Sequence, residues 1–110
     1  MSEKIKYETF EKLDLRVATV KKVEDHPNAD KLYVLEIDLG NETRTIVAGI
    51  KKYYTKEEIL GKQIIVLANL EAAKLRGVES NGMLLAASDD KGNVIVLTPE
   101  KEIENGSKIG

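Results

Sequence analysis

An all-β fold, with five strands closing into a small barrel and one short helix among them, is predicted for this 110-residue chain by three observations. Apolar and polar residues alternate in several short runs, Gly, Asn and Asp clusters separate those runs, and only one stretch carries the chemistry of a helix start and stop. The length suffices for one hydrophobic core and not for two, so residues 1–110 are expected to form a single domain.

The first strand is read from "LDLRVATV" (13–20), which alternates through Leu13, Leu15 and Val17 and then slips phase to Val20. That slip predicts a bulge near Ala18 and a bent strand. "KLYVLEIDL" (31–39) alternates through Tyr33, Leu35, Ile37 and Leu39, turns at "GNE" (40–42) and resumes in "TRTIVAGI" (43–50), which is the pattern of a hairpin. In "TKEEILG" (55–61), Thr55 is the N-cap, Glu58 its capping-box partner and Gly61 the stop, so a short helix follows the third strand. "KQIIVLANL" (62–70) is a continuous apolar strand, 74–82 is a loop, and "MLLAASD" (83–89) is the fifth strand. "DDKGN" (89–93) turns the chain into "VIVLTP" (94–99), which Pro99 ends. This order is the OB-fold layout, a five-stranded Greek-key barrel, here with residues 94–110 as a C-terminal strand extension. An SH3-like barrel is the rival, and the helix between strands three and four favours the OB layout.

Composition narrows the function. The chain has no cysteine and one histidine, so neither a disulfide framework nor a thiolate zinc site is available, and no metal or cofactor is expected. No phosphate-binding P-loop, dinucleotide fingerprint or nucleophile–base pair is present in the sequence, so no catalytic residue is expected and a binding module is favoured over an enzyme. No apolar run reaches the ~18–20 residues of a membrane span, and "MSEKIKYETF" lacks the apolar stretch of a signal peptide. A cytoplasmic protein with no membrane partner is therefore expected.

The net charge of −2 argues against a nucleic-acid partner until it is divided along the chain. Residues 1–42 carry seven cations against ten carboxylates, 43–88 seven against four, and 89–110 three against five. The middle of the chain is where an anion is met.

Two stretches there carry candidate contacts. Lys51 and Lys52 precede Tyr53 and Tyr54, a pairing suited to phosphates and stacked bases; the alternative is one tyrosine sealing the barrel beside solvated lysines. In "KLRGVESNGM" (74–83), Lys74 and Arg76 present charge, Gly77 and Gly82 permit positive φ and close backbone approach, and Ser80 and Asn81 offer small polar groups. Met83 is either core filling or a flexible apolar contact for an unstacked base. His26, beside Pro27 in a turn-like stretch, is expected to cap its loop or lie at the surface rather than act as a base.

"FEKLDLRVATV" (10–20), "HPNADKLYVLEIDLG" (26–40), "RTIVAGIKKYYTKEEILGKQIIVLANL" (44–70) and "AKLRGVESNGMLLAAS" (73–88) together resemble the tRNA-binding domain family. That family comprises stand-alone tRNA-binding proteins and domains appended to methionyl-tRNA synthetases, to one form of phenylalanyl-tRNA synthetase and to multisynthetase cofactors. The resemblance runs nearly end to end. It implies an OB-fold that binds tRNA by its folded shape, largely without sequence specificity, and assists an aminoacyl-tRNA synthetase of methionyl type in trans.

The family's binding loop maps onto Asn69, Lys74, Arg76, Ser80, Gly82 and Met83, with Arg16 and Lys31 on neighbouring strands as further contacts. With Lys51 and Lys52 these are the expected tRNA-binding residues. The chain departs from the family at Ala18 and Thr19, where many relatives have glycine and then a lysine or another polar residue, so the family's basic contact on that strand is not carried over, and Lys21 and Lys22 are its nearby substitutes. Relatives ending like 94–110 pair that extension with its copy, so the resemblance implies a homodimer, the alternative being a tail that covers its own barrel. The expected partners are tRNA, a second copy and the catalytic chain of a methionyl-tRNA synthetase. A chaperone-like, polypeptide-binding OB protein is the alternative function.

Overall fold

The computed structural model describes residues 3–110. Its elements are α1 (Tyr7–Glu11), β1 (Leu15–Asp25), β2 (Tyr33–Asp38), β3 (Thr43–Ala48), α2 (Lys56–Ile59), β4 (Gln63–Leu67), β5 (Ala73–Leu75), β6 (Val78–Ser80), β7 (Met83–Leu84), β8 (Ala86–Ser88) and β9 (Val94–Val96). The all-β class and the helix between the third and fourth strands are as predicted.

Five strands form one antiparallel sheet in the order β3-β2-β1-β4-β7. It curls because the eleven-residue β1 serves two partners. Its first half pairs with β4, from Leu15 opposite Leu67 to Thr19 opposite Gln63, and its second half pairs with β2, from Thr19 opposite Asp38 to Asp25 opposite Tyr33. The predicted bulge is present but displaced: the register slips between Val20 and Lys22, just past Thr19, where β1 passes from one neighbour to the other. Ala18 is instead regularly paired with Ile64 and wholly buried. The two ends of the curled sheet meet through side chain and loop, since Asn81 N–H donates to the Thr45 carbonyl at 2.9 Å and Val47 N–H to the Ser80 hydroxyl at 2.9 Å.

Along residues 33–39 the barrel interior follows the alternation read from sequence, with Tyr33, Leu35, Ile37 and Leu39 all buried, whereas in β1 it is Ala18 and Val20, not Leu15 and Val17, that face the interior. Val20, Leu35, Ile37, Ile46, Ile64 and Val66 form its buried centre, and Ile59 of α2 plugs it from the end. The Thr55–Glu58 capping box fixes α2: the Thr55 hydroxyl accepts from Glu58 N–H while the Glu58 carboxylate accepts from Thr55 N–H. Tyr54 seals the mouth. Its hydroxyl accepts from Val96 N–H at 3.0 Å and its carbonyl accepts from the Tyr33 hydroxyl at 2.7 Å.

Three features differ from expectation. The segment read as a loop at 74–82 contains a hairpin of β5 and β6, invisible to periodicity because each strand has three residues. The run 83–89 breaks at Leu85, so that β7 joins the large sheet and β8 pairs with β9. A helical turn, α1, precedes β1 with no buried residue, hence with no apolar pattern to announce it.

The tail is built into its own chain. Along Leu15–Val17 the β2 edge of β1 has no strand partner, and the tail fills it: Val17 N–H donates to the Ser107 carbonyl, Gly106 N–H to that of Val17, and Ile109 N–H to that of Leu15. Side chains reinforce this contact. Asn105 Oδ1 accepts from both Thr19 and Gln63, and the Gln63 amide also pairs with the Ile103 backbone in both directions. Val17 is consequently 1% exposed although it faces away from the barrel interior. Among the described residues, no helix is long and apolar enough to cross a membrane.

Candidate functional site

Arg76 and Gly77 form the two-residue turn between β5 and β6, with φ of 53° and 94°. A tight hairpin turn with both central residues at positive φ matches the twist of the flanking strands. Glycine adopts that conformation freely, whereas a residue with a Cβ is disfavoured by about 1–2 kcal/mol. Arg76 is the only non-glycine residue at positive φ among those described. Its exposed guanidinium sits at the hairpin tip, and exposed Lys74 lies on β5 opposite Glu79.

The hairpin is tied to the 26–32 loop that joins β1 to β2. His26, 5% exposed, accepts at Nδ1 from Asn28 N–H at 2.9 Å, so its Nε2–H is the group that donates to the Leu75 carbonyl at 2.8 Å. Asn28 Nδ2 donates to the Arg76 carbonyl at 3.3 Å. Between loop and hairpin lies an open cavity of about 410 Å³ lined by Asn28, Ala29, Asp30, Lys31, Leu32 and Arg76. Lys31 and Arg76, far apart in sequence, thus flank one hollow.

The base of the hairpin is structural. Ser80 is 5% exposed, its hydroxyl accepting from Val47 N–H and donating to the Gly82 carbonyl at 3.0 Å, so its polar atoms face inward rather than towards a ligand. Gly82, at φ +134°, is buried where a methyl group would lie 3.2 Å from the Leu67 carbonyl oxygen and 3.3 Å from Val66 Cγ1; it lets the chain pass close to β4. Asn69 holds the approach to β1, accepting from Asp14 N–H at 2.9 Å and donating to the Lys12 carbonyl at 2.6 Å. Removing the Ser80 hydroxyl in Ser80→Ala leaves Val47 N–H without its partner. The expected loss is about 1–3 kcal/mol of stability, read as a lower denaturation midpoint in urea.

The cations divide into paired and unpaired. Arg16 donates to Asp14 at 2.6 Å and to the Gly106 carbonyl at 3.0 Å, so it anchors the tail. Lys51 and Lys56 both pair with Asp25 at 3.0 Å, and these two lysines hold the Asp25 carboxyl below its ordinary range. That contribution to stability is present above the ordinary carboxylate range and is lost as pH falls through the depressed folded value. Lys52 lies 6.0 Å from the Tyr53 ring centroid, and neither Lys51 nor Lys52 lines the hollow beside Arg76. Among the described residues, Lys31, Lys52, Lys74 and Arg76 form no ion pair. Met83, paired with Leu67 at the sheet end, is 44% exposed and therefore not core.

Arg44 belongs to the site's frame and carried no sequence signal. Its guanidinium pairs with Glu42 and donates to the Ala68 carbonyl at 2.5 Å and the Asn81 carbonyl at 3.4 Å. The Glu42 hydrogen bond raises the arginine's pKa and, reciprocally, lowers that of the glutamate. Strand alternation places position 44 outside the barrel, but its two carbonyl partners are brought to it only by closure of the sheet. His26 was legible as a loop cap; its burial and its reach to Leu75 were not.

The family described as "Putative tRNA binding domain" matches residues 15–108. Methionine–tRNA ligase of Pyrococcus horikoshii is 61% identical over 107 residues, covering 97% of this chain and 15% of the ligase. The chain thus spans about 15% of the length of the curated relative it matches. Among solved structures, a MetRS related protein from Pyrococcus horikoshii superposes with a TM-score of 0.94 at 38% identity, covering 99% of this chain and all of that one. The chaperone CsaA from Bacillus anthracis superposes with a TM-score of 0.90 at 33% identity, covering 98% of this chain and 100% of that one.

Proposed function

The chain belongs to the tRNA-binding domain family, and from that premise we propose that it captures folded tRNA through the β5–β6 hairpin and the adjoining 26–32 loop. The observation that carries this reading is the convergence of Lys31 and Arg76 on one hollow, with Lys74 one step back along β5, all without carboxylate partners among the described residues. Such a surface grips phosphates by charge and reads shape rather than base sequence. Exposed Met83 and Tyr53 supply apolar faces for unstacked bases.

The domain is a binding unit, and we assign it no catalytic residue, metal or cofactor. It acts in the cytoplasm and raises the local concentration of tRNA for a methionyl-type synthetase, whether in trans or as part of a longer chain. A second copy increases capture by avidity. Exposed Ile95, Leu97 and Ile103, all within the 94–110 extension, supply apolar surface suited to that pairing.

The test is tRNA binding across a salt series for the wild type and Lys74→Ala/Arg76→Ala. Loss of two phosphate contacts flattens the log–log salt slope by about 1.4–1.8. An unchanged slope and affinity rejects the hairpin as the contact. The likeness to a chaperone favours one further reading, polypeptide binding at exposed Leu70, Leu75 and Met83. Suppression of aggregation of an unfolded client in the absence of RNA is the outcome that would favour it.

A further inference from the structure

We propose that His26 is the positioning residue that couples the 26–32 loop to the β5–β6 hairpin, keeping Lys31 and Arg76 at one hollow so that they engage RNA phosphates together. This rests on the tRNA-binding reading and goes further by assigning the spatial relation of the two contact segments to one side chain that touches no RNA.

Position 26 makes two different demands. The 26–28 turn needs an acceptor close to the backbone, which Nδ1 provides to Asn28 N–H. The hairpin needs a donor further out, which Nε2–H provides to the Leu75 carbonyl, one residue before the strained Arg76. A neutral imidazole protonated at Nε2 is the tautomer that satisfies both. The second link from the loop to the hairpin is the longer Asn28–Arg76 contact at 3.3 Å, and it originates in the turn that His26 organises. The backbone bond from His26 N–H to the Leu32 carbonyl closes the same loop at its base, so the imidazole is presented from a braced position. The hairpin has no main-chain pairing to β2 or to the β1–β2 loop, β5 and β6 forming a two-stranded sheet of their own. Its base is held on β3 through Ser80 and Asn81, and nearer the tip it is the side-chain bonds from His26 and Asn28 that link it to the loop carrying Lys31.

The two functions are separable by amide substitutions of different length. In His26→Asn the side-chain oxygen keeps the turn by accepting from Asn28 N–H, but the side chain stops short of Leu75. In His26→Gln the terminal amide reaches Leu75 and the short-range acceptor is lost. Each variant and the wild type are measured for tRNA affinity over a salt series, for thermal unfolding, and for amide exchange at Gly77 and Val78 in the free protein. The expected result is that His26→Asn loses about three- to tenfold in affinity and hairpin protection, a loss on the scale of one hydrogen bond, whereas His26→Gln retains both more fully. The wild-type ring is expected to show the Nε2–H tautomer in long-range nitrogen–proton spectra, with slow exchange of that proton. Equal affinity and equal hairpin protection in His26→Asn and wild type, or an Nδ1–H tautomer, overturns the proposal. Should the wild type fail to bind tRNA, the functional reading falls, and hairpin protection together with the ring tautomer still decides whether His26 couples the two segments.

Discussion

Arg76→Asn is expected to make this protein more stable and a weaker tRNA binder. The turn position at φ 53° favours asparagine, and Asn-Gly is the preferred pair for a two-residue hairpin of this type. Relief of the left-handed strain is expected to contribute about 0.5–1 kcal/mol, seen as a rise of several degrees in the melting temperature. The same change removes a guanidinium at the hairpin tip, so the log–log salt slope of tRNA binding should lose about 0.7–0.9. Opposite signs in stability and binding are the diagnostic result. They identify a strained conformation retained for what its side chain contacts, a pattern common at binding sites. A variant that is both less stable and unimpaired in binding removes Arg76 from the site.

Gly106→Ala is expected to be the most damaging single methyl addition in the tail. The residue lies at φ +89°, and a methyl group there would stand 2.5 Å from the Leu39 carbonyl oxygen, a backbone atom held in the β2–β3 turn. Strain of about 1–2 kcal/mol adds to a steric conflict that only backbone movement relieves, giving about 3 kcal/mol or more in total. The expected signature is a fall of ten degrees or more in melting temperature. Exchange at Val17 and Ile109 amides, which the tail contact protects, should accelerate with it. Gly92→Ala is the control: it has a similar φ of +88° but no neighbouring atom within 4 Å, so its cost is the backbone strain alone. Equal effects of the two substitutions would show that the tail's close fit against Leu39 contributes nothing.

Most of the architecture was legible because the interior of a small barrel imposes a two-residue period. Tyr33, Leu35, Ile37 and Leu39 are buried in the phase that alternation predicts, and the Thr55–Glu58 pair marked α2 by local chemistry alone. The short hairpin at 73–80 escaped because three-residue strands carry no period and because Arg76 occupies a position where turn chemistry predicts asparagine or glycine. Val17 looked like a barrel residue by its apolar character; its actual cover is the tail.

The candidate site was legible as a set of residue types and not as a set of roles. Lys74 and Arg76 are exposed, whereas Ser80 and Gly82 hold the base of the hairpin and Asn69 holds the approach to β1. Arg16 and Lys51 resemble Lys31 and Lys52 in sequence terms, yet the first two face carboxylates at 2.6 and 3.0 Å. Asp25 reaches Lys51 from β1, a pairing that a linear charge pattern does not show, whereas the partner of Arg16 is Asp14, two residues away.

The amino-acid sequence by itself determined the all-β class, the helix start and stop, the cationic middle of the chain and the family to which it belongs. Each of these depends on residues near one another in sequence or on ordered motifs along it. Tertiary structure alone decided that Asp25 holds Lys51, that the tail occupies the vacant edge of β1, that Met83 faces outward, and that His26 reaches Leu75 across 49 positions. Those outcomes follow from a curled sheet bringing distant segments within hydrogen-bonding distance, where geometry assigns each donor and charge its partner.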